Sequence, residues 1–284
     1  MRHGSVCATG ATGATSATSA TSASATSAAK PQDQAHGLRR LFARGRQRFV
    51  PLVHNPHVGF AGVGMERMCA AFAEQGLRTL VVDAADTAST PHELAHVDLS
   101  ACVERLSSSV WFLAARGLPM RWLDSRGTTA GFLESLAAAM PEADVVLVHA
   151  GASDLNRMFA GRAPRPVLLA DEHAESLTHA YACMKLMTQR LRVMAFDLVL
   201  ASDAPWPRLA QVAERLADCA DRFLGAALGE WAQASACAHE DEPLPLDPKL
   251  RRLVAAQLTG PDACNLPGHL LTRTALPAST RHAN

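Results

Sequence analysis

The chain has 284 residues, and its 27 Lys+Arg are balanced by 27 Asp+Glu for a formal net charge of +0. No domain-wide basic field exists to hold nucleic acid, which argues against a dedicated DNA or RNA binder. Hydrophobic residues make up 48%, enough for one domain of roughly 200 to 250 residues plus tails, and no apolar run approaches the roughly 18 to 20 residues of a membrane span.

Residues 8 to 29 contain only Ala, Thr, Gly and Ser in a near-triplet repeat. Such a composition cannot bury enough apolar surface to offset the entropy of ordering, so residues 1–31 are expected to be a low-complexity tail. Arg2 and His3 are not followed by a leucine-rich stretch, so no secretory signal is read. A short helix is expected within 32–48, carrying Ala35, Leu38, Leu41 and Phe42 at helical spacing.

From there strands and helices alternate. Phe49 to His54 reads as a strand, followed by a Gly-rich turn from Gly59 to Gly64 and a helix from Met65 to Gln75 closed by Gly76. Thr79 to Asp83 is a second buried strand. Further strands are expected at Arg121–Asp124, Asp144–His149, Pro166–Ala170 and Phe196–Ala201. Helices are expected at Ala101–Arg116, Ala130–Met140, Glu175–Leu191 and Pro207–Leu224. The alternation predicts an α/β fold with a doubly wound, mostly parallel sheet over residues 49–258 and a C-terminal tail over 259–284. Ligands of such sheets sit at the C-terminal strand ends, which directs attention to the turn after the first strand.

That turn reads Gly59-Phe60-Ala61-Gly62-Val63-Gly64-Met65-Glu66. In a phosphate loop, glycines let backbone N–H groups wrap phosphates, a Lys reaches the terminal oxygens and a Ser/Thr holds Mg²⁺. Here Met65 stands in the Lys position and Glu66 in the Ser/Thr position. Losing the Lys removes charge-assisted bonds of about 1.5 to 3 kcal/mol each. An added carboxylate repels phosphate by about 4 kcal/mol per unit charge at 4 Å and an effective dielectric near 20. Glu66 is expected to occupy the vacated space at the positive end of the helix. The same glycines also fit a plain strand-to-helix turn.

The turn resembles a decayed form of GKGGVGKT, the deviant Walker A motif of the MinD/ParA branch of P-loop ATPases, with Phe60 replacing the signature Lys. Ala70 to Asp83 is similar to that family's first helix and second strand. Asp83-Ala84-Ala85-Asp86 stands where the family has DxD, with the second carboxylate out of register. The Walker B strand of the family ends in Asp, and Asp144-Val145-Val146-Leu147-Val148 ends in His149. Thr178 to Leu186 resembles the T-x-AY-x-x-x-K helix, Pro245 to Val254 resembles a late IP-x-D-x-x-x-RRAV segment, and Asp221 to Gly225 resembles the helix before the last strand. Asp33-Gln34-Ala35-His36-Gly37-Leu38-Arg39 matches DQAxxLR, the activating motif of the FlhG/FleN group of flagellar-number regulators.

The resemblance implies a P-loop NTPase fold of MinD type and a cytoplasmic location, at the inner membrane near the flagellar base. It implies a role in flagellar number and placement exerted through protein partners. Asp33, Gln34, Ala35, Leu38 and Arg39 would engage an FlhF-type SRP GTPase; flagellar motor ring proteins or a flagellar transcription regulator are further partners it suggests. ATP and Mg²⁺ are the family's cofactors, and the altered loop predicts that neither is used, leaving a pseudo-ATPase. The alternative is a functional MinD/ParA-type ATPase in the same role, with slow ATP hydrolysis sustained by backbone contacts alone; a remote alternative is a zinc metalloprotease acting through the HExxH segment at His92. Positive charge concentrates at Arg39, Arg40, Arg44, Arg46 and Arg48, ahead of the domain.

Competing signals are weaker. His92-Glu93-Leu94-Ala95-His96 is a literal HExxH, which on a long helix would offer two zinc ligands and a base; with Pro91 at its start and no third ligand following, it reads as a chance match. His54 with His57, and His173 with His179, read as surface pairs. The seven cysteines, Cys7, Cys69, Cys102, Cys183, Cys219, Cys237 and Cys264, form no CxxC and suit a reducing compartment. Cys69 and Cys183 read as small core residues. The stretch from Gly268 to Asn284 contains Pro277 and little apolar periodicity, which gives weak support for membrane contact.

Overall fold

Five of the six expected strands are present, Thr79–Asp83 with its expected limits and the others displaced by a residue, and the sheet is built around them. The structure, a computed structural model, describes residues 47–235 and 246–259. They belong to a compact unit assigned to Arg44–Asn284. Strands β1 (Arg48–Val53), β2 (Thr79–Asp83), β3 (Glu104–Arg105), β4 (Val110–Ala114), β5 (Val145–Ala150), β6 (Val167–Ala170), β7 (Ala195–Ala201) and β8 (Ala227–Ala234) form one sheet. Its order is β3-β4-β2-β5-β1-β6-β7-β8. Every pairing is parallel except β3 with β4 at the edge. The doubly wound, mostly parallel sheet expected from the sequence is present.

Helices α1 (Ala61–Glu74), α2 (Ala130–Ala139), α3 (Ala152–Met158), α4 (Ala174–Leu191), α5 (Trp206–Leu224) and α6 (Pro248–Thr259) flank it. Side chains alternate between the two faces of each strand, and both faces are buried. Val81, Val145, Leu147, Val167, Leu169 and Val199 join Met68 and Phe72 of α1 and Leu250, Leu253 and Val254 of α6. Leu80, Val82, Val146, Val148, Leu168 and Leu200 instead join Phe132, Leu155, Met184, Met187 and Leu216 from α2, α3, α4 and α5. This is why the strands read as continuous apolar runs rather than alternating ones. Burying a side chain such as Phe72 stabilises the fold by about 1.5 to 3 kcal/mol.

Two expected elements are replaced by others. Ala101–Arg116 is not a helix: a 3-10 turn over Ser100–Cys102 leads to β3 and β4. The Ser107-Ser108-Ser109 run breaks the helical period, and Val110-Trp111-Phe112-Leu113 is β-branched and aromatic, so it pairs with β2. Arg121–Asp124 is not a strand: Gly117 at φ 75° and Pro119 start a 3-10 helix over Leu118–Trp122. There the Trp122 indole N–H donates to Ser135 Oγ at 2.8 Å. Arg48, grouped with the N-terminal helix and its exposed basic side, is the first residue of β1, and its guanidinium donates to the Leu258 carbonyl of α6. The last helix runs to Thr259.

Candidate functional site

The C-terminal ends of β5, β1 and β6 lie side by side, and β1 is the strand from which the chain first winds one way and later the other. In a doubly wound sheet this is the ligand-binding crevice. The segment His54 to Phe60 leads from β1 into α1. Helix α1 begins at Ala61, four residues before the expected Met65. The Gly64 N–H donates to the Phe60 carbonyl at 3.3 Å, closing the first helical turn. Gly62, Val63 and Gly64 are therefore wound into helix rather than held in a loop, a correction to the Gly-rich turn expected over Gly59–Gly64. Neither Gly59, Gly62 nor Gly64 has positive φ.

Of the three glycines only Gly64 is held by packing. A Cβ on Gly64 would lie 3.0 Å from Leu169 Cδ2, so its absence lets α1 sit close against β6, whereas a Cβ on Gly62 would meet open space. Met65 packs against the cluster that contains Met68 and Phe72. Glu66 is exposed and lies in the second turn of α1, with no acidic residue in the first. It does not fill the helix N-terminus, contrary to expectation. Phe60, 51% exposed, flanks the start of the helix without a side-chain cap.

Beneath this turn the strand register assembles a hydrogen-bonded chain. Asp83 and His149 are paired positions of β2 and β5, and alternation puts both on the α1 side of the sheet along with Val81 and Leu147. His149 Nδ1 is 2.8 Å from Asp83 Oδ1. His149 Nε2 is 3.2 Å from His54 Nδ1, with the rings edge to face. His54 and His149 are 8% and 2% exposed, and His54 Nε2 has no hydrogen-bond partner. Burial, then the neighbouring His149, pushes the His54 ring below the ordinary histidine range, against the opposing pull of Asp83 and Asp86. Asp86 itself is exposed in the turn after β2.

A second set of side chains fixes the turn to its neighbours. The Asn55 amide donates to the carbonyls of Leu169 and Ser176 and to Ser176 Oγ, each at 3.0 Å, and its oxygen accepts the His57 N–H at 3.1 Å. His57 faces His179 with ring centroids 5.7 Å apart and lies 3.6 Å from Glu175. Burial, then His57, lowers the His179 ring's affinity for a proton. The histidine pairs anticipated from sequence are thus rearranged. His54 joins His149 and His57 joins His179, while His173 pairs with Asp171 at 3.2 Å.

Beside the turn is a cavity of about 760 Å³, lined by His57, Gly59, Phe60, Asp171, Glu172, His173, Ala174, Glu175 and Ala201 to Ala204. Four carboxylates, those of Asp171, Glu172, Glu175 and Asp203, face it, with no Lys or Arg among the lining residues. At about 4 kcal/mol per pair of unit charges 4 Å apart, such a wall opposes a triphosphate.

The HExxH segment forms a 3-10 helix over Glu93–His96, with His92 capping it by accepting the Leu94 N–H at 3.1 Å. At three residues per turn, positions four apart point about a third of a turn away from each other, so His92 and His96 do not share a face. Among the described residues no group of three or more His, Cys, Asp or Glu is placed to hold a metal ion. Cys69 and Cys183 are buried, as expected of small core residues, and burial raises their thiols to about 12 and about 11. Asp33, Gln34, Ala35, Leu38 and Arg39 lie outside the described residues. The sequence missed His54 as a member of the chain. The signal was available: FVPLVH, TLVVD and DVVLVH each carry a polar residue where an apolar run ends, at the same edge of adjacent strands.

No family model matches the chain, and no curated protein sequence matches it. It is similar to the solved structure of the MinD cell division protein of Aquifex aeolicus, at 13% identity and TM-score 0.46, over 74% of this chain and 86% of that one. It is also similar to cobyrinic acid a,c-diamide synthase of Mycobacterium smegmatis, at 17% identity and TM-score 0.48, over 75% and 94% of the two chains. A third is a putative plasmid partition protein of Borrelia burgdorferi bound to AMPPNP, at 7% identity and TM-score 0.48, over 75% and 98%. At these identities and TM-scores the likenesses assign no activity. No helix among the described residues is long and apolar enough to cross a membrane.

Proposed function

We propose that the chain is a MinD/ParA-like regulator of the FlhG/FleN kind whose nucleotide site no longer works, and that it acts on flagellar number and placement by binding proteins. The observation that supports loss of nucleotide use is the start of α1 at Ala61. Backbone that a phosphate loop would wrap around phosphates is spent on helical hydrogen bonds, and the side chain in the Lys position, Met65, is half-buried against the core. The His149–Asp83 pair replaces a free strand-end carboxylate with a bonded one, and the acidic cavity adds repulsion.

The partner side of the reading rests on the sequence Asp33 to Arg39. Ala35 and Leu38 would give an apolar stripe for docking, Gln34 would orient water and Arg39 would pair with acidic groups of an FlhF-type GTPase. Motor ring proteins or a flagellar transcription regulator would be further partners at the cytoplasmic face of the flagellar base. GTP turnover by an FlhF-type GTPase, measured with and without the intact chain and its Gln34→Ala variant, tests this. Stimulation lost in the variant supports it, and no stimulation by the intact chain removes it. ATP hydrolysis well above background would instead support a working MinD/ParA-type ATPase.

A further inference from the structure

An ionised carboxylate only accepts hydrogen bonds, and this fixes the direction of the Asp83–His149–His54 chain. Asp83 Oδ1 also accepts the Ala85 N–H at 3.3 Å. With Asp83 ionised, His149 must carry its proton on Nδ1 to donate to the carboxylate at 2.8 Å. In the neutral ring Nε2 is then an acceptor, so His54 must carry its proton on Nδ1 to donate across 3.2 Å. This leaves His54 Nε2 as a bare lone pair, buried and without a partner. A buried acceptor left unmade costs free energy, on the order of 1 to 3 kcal/mol, and a proton taken up there needs an acceptor that the closed turn does not supply.

We propose that Asp83, His149 and His54 form a proton-loading relay that makes the β1–α1 turn responsive to pH. The incoming proton bonds to His54 Nε2. The proton on His54 Nδ1 moves to His149 Nε2, and His149 keeps its Nδ1–H toward Asp83. Only N–H bonds form and break, and the added charge rests on His149 against the carboxylate rather than on His54. The ring-to-ring hydrogen bond survives with its direction reversed, and the His54 Nε2 edge turns from acceptor to donor. Because Nε2 is covered from solvent, loading is coupled to opening of the His54–Phe60 turn.

The charged surroundings suit one added proton and oppose a second. Asp83 and Asp86 come from the end of β2 and the turn after it, His149 from β5 and His179 from α4. His57 and Glu175 lie behind His179. Asp154 of α3, paired with Arg157, faces Asp86. The carboxylates favour a single imidazolium, and the two adjacent rings repel a second. The relay names the regulation of the site described above and rests on that site being free of nucleotide.

Nitrogen-resolved NMR of the histidine rings, with amide hydrogen exchange on the full chain and no nucleotide added, tests it. Both rings are expected as Nδ1–H tautomers at high pH. On acidification His149 should become doubly protonated while His54 switches to Nε2–H, and the protection of the Val58 N–H, bonded to the Asn55 carbonyl, relative to its intrinsic exchange rate should fall with the same midpoint. Asp83→Asn should lower that midpoint by about one pH unit or more. If that variant does not fold, the tautomers of the unaltered chain decide alone. A His54 that carries its proton on Nε2 at high pH, or two rings that titrate independently, would overturn the relay. Micromolar ATP binding with the tautomers as stated would overturn the nucleotide reading instead.

Discussion

His149 and Asp83, opposed residues of neighbouring parallel strands, are joined at 2.8 Å at the point where the sheet meets its crevice. Their pairing commits the strand-end carboxylate to an imidazole and extends through that imidazole to the buried His54.

This linkage predicts a pH dependence of stability. His54 is held below its ordinary value by burial and by His149, so the unfolded state binds more protons than the folded state once the pH drops below about 6.5. Stability from this source is present above that pH and is lost as pH falls through the folded value. Each unit of depression corresponds to about 1.4 kcal/mol. Urea unfolding should show a lower midpoint at pH 5 than at pH 7.5, with His54→Gln narrowing the gap. A midpoint that rises on acidification would contradict the assignment.

Glycine substitutions distinguish helix from phosphate loop in α1. Gly62 lies in the first helical turn with open space at its Cβ position, so Gly62→Ala should stabilise the chain by about 0.5 to 1 kcal/mol. Gly64→Val should destabilise it by about 1 to 3 kcal/mol, because the added side chain meets Leu169. Thermal or urea unfolding measures both. Loss of stability in Gly62→Ala would indicate a backbone there that only glycine tolerates.

At the opposite end of the sheet, fully buried Asp197 accepts hydrogen bonds from Arg165, the Glu230 N–H and the Gln257 amide. It ties β7 to β8 and α6. Burial raises its carboxyl above the usual range despite these partners. Arg165→Ala should cost about 3 to 5 kcal/mol, the usual consequence of stranding a buried charge, as a large drop in urea midpoint. A change below 1 kcal/mol would show that the remaining partners suffice.

The sheet was largely legible because both of its faces are covered. Leu80-Val81-Val82, Val145-Val146-Leu147-Val148 and Leu198-Val199-Leu200-Ala201 are continuous apolar runs that do not look like amphipathic helix. Val110 to Ala114 was not legible, since its neighbours Ala101 to Arg116 supply enough alanine and leucine to mimic a helical period. Helix α3, only seven residues long, is too short for periodicity to register. Within the site, the altered residues Met65, Glu66 and His149 could be read directly. The early start of α1 could not, because GFAGVGME is compatible with either loop or helix and packing of Gly64 against Leu169 decides. The joining of His54 to His149, residues 95 positions apart, depends on β1 and β5 being neighbours, which no local pattern encodes.

On the function proposed, the β1–α1 turn and its histidine chain have displaced nucleotide binding. Calorimetric titration of the full chain with ATP and Mg²⁺ at neutral pH tests it most directly. The account predicts no saturable heat up to millimolar ATP, both for the unaltered chain and for Met65→Lys/Glu66→Thr, because restoring two side chains does not unwind the first turn of α1. Saturable binding with micromolar affinity by the unaltered chain would contradict it.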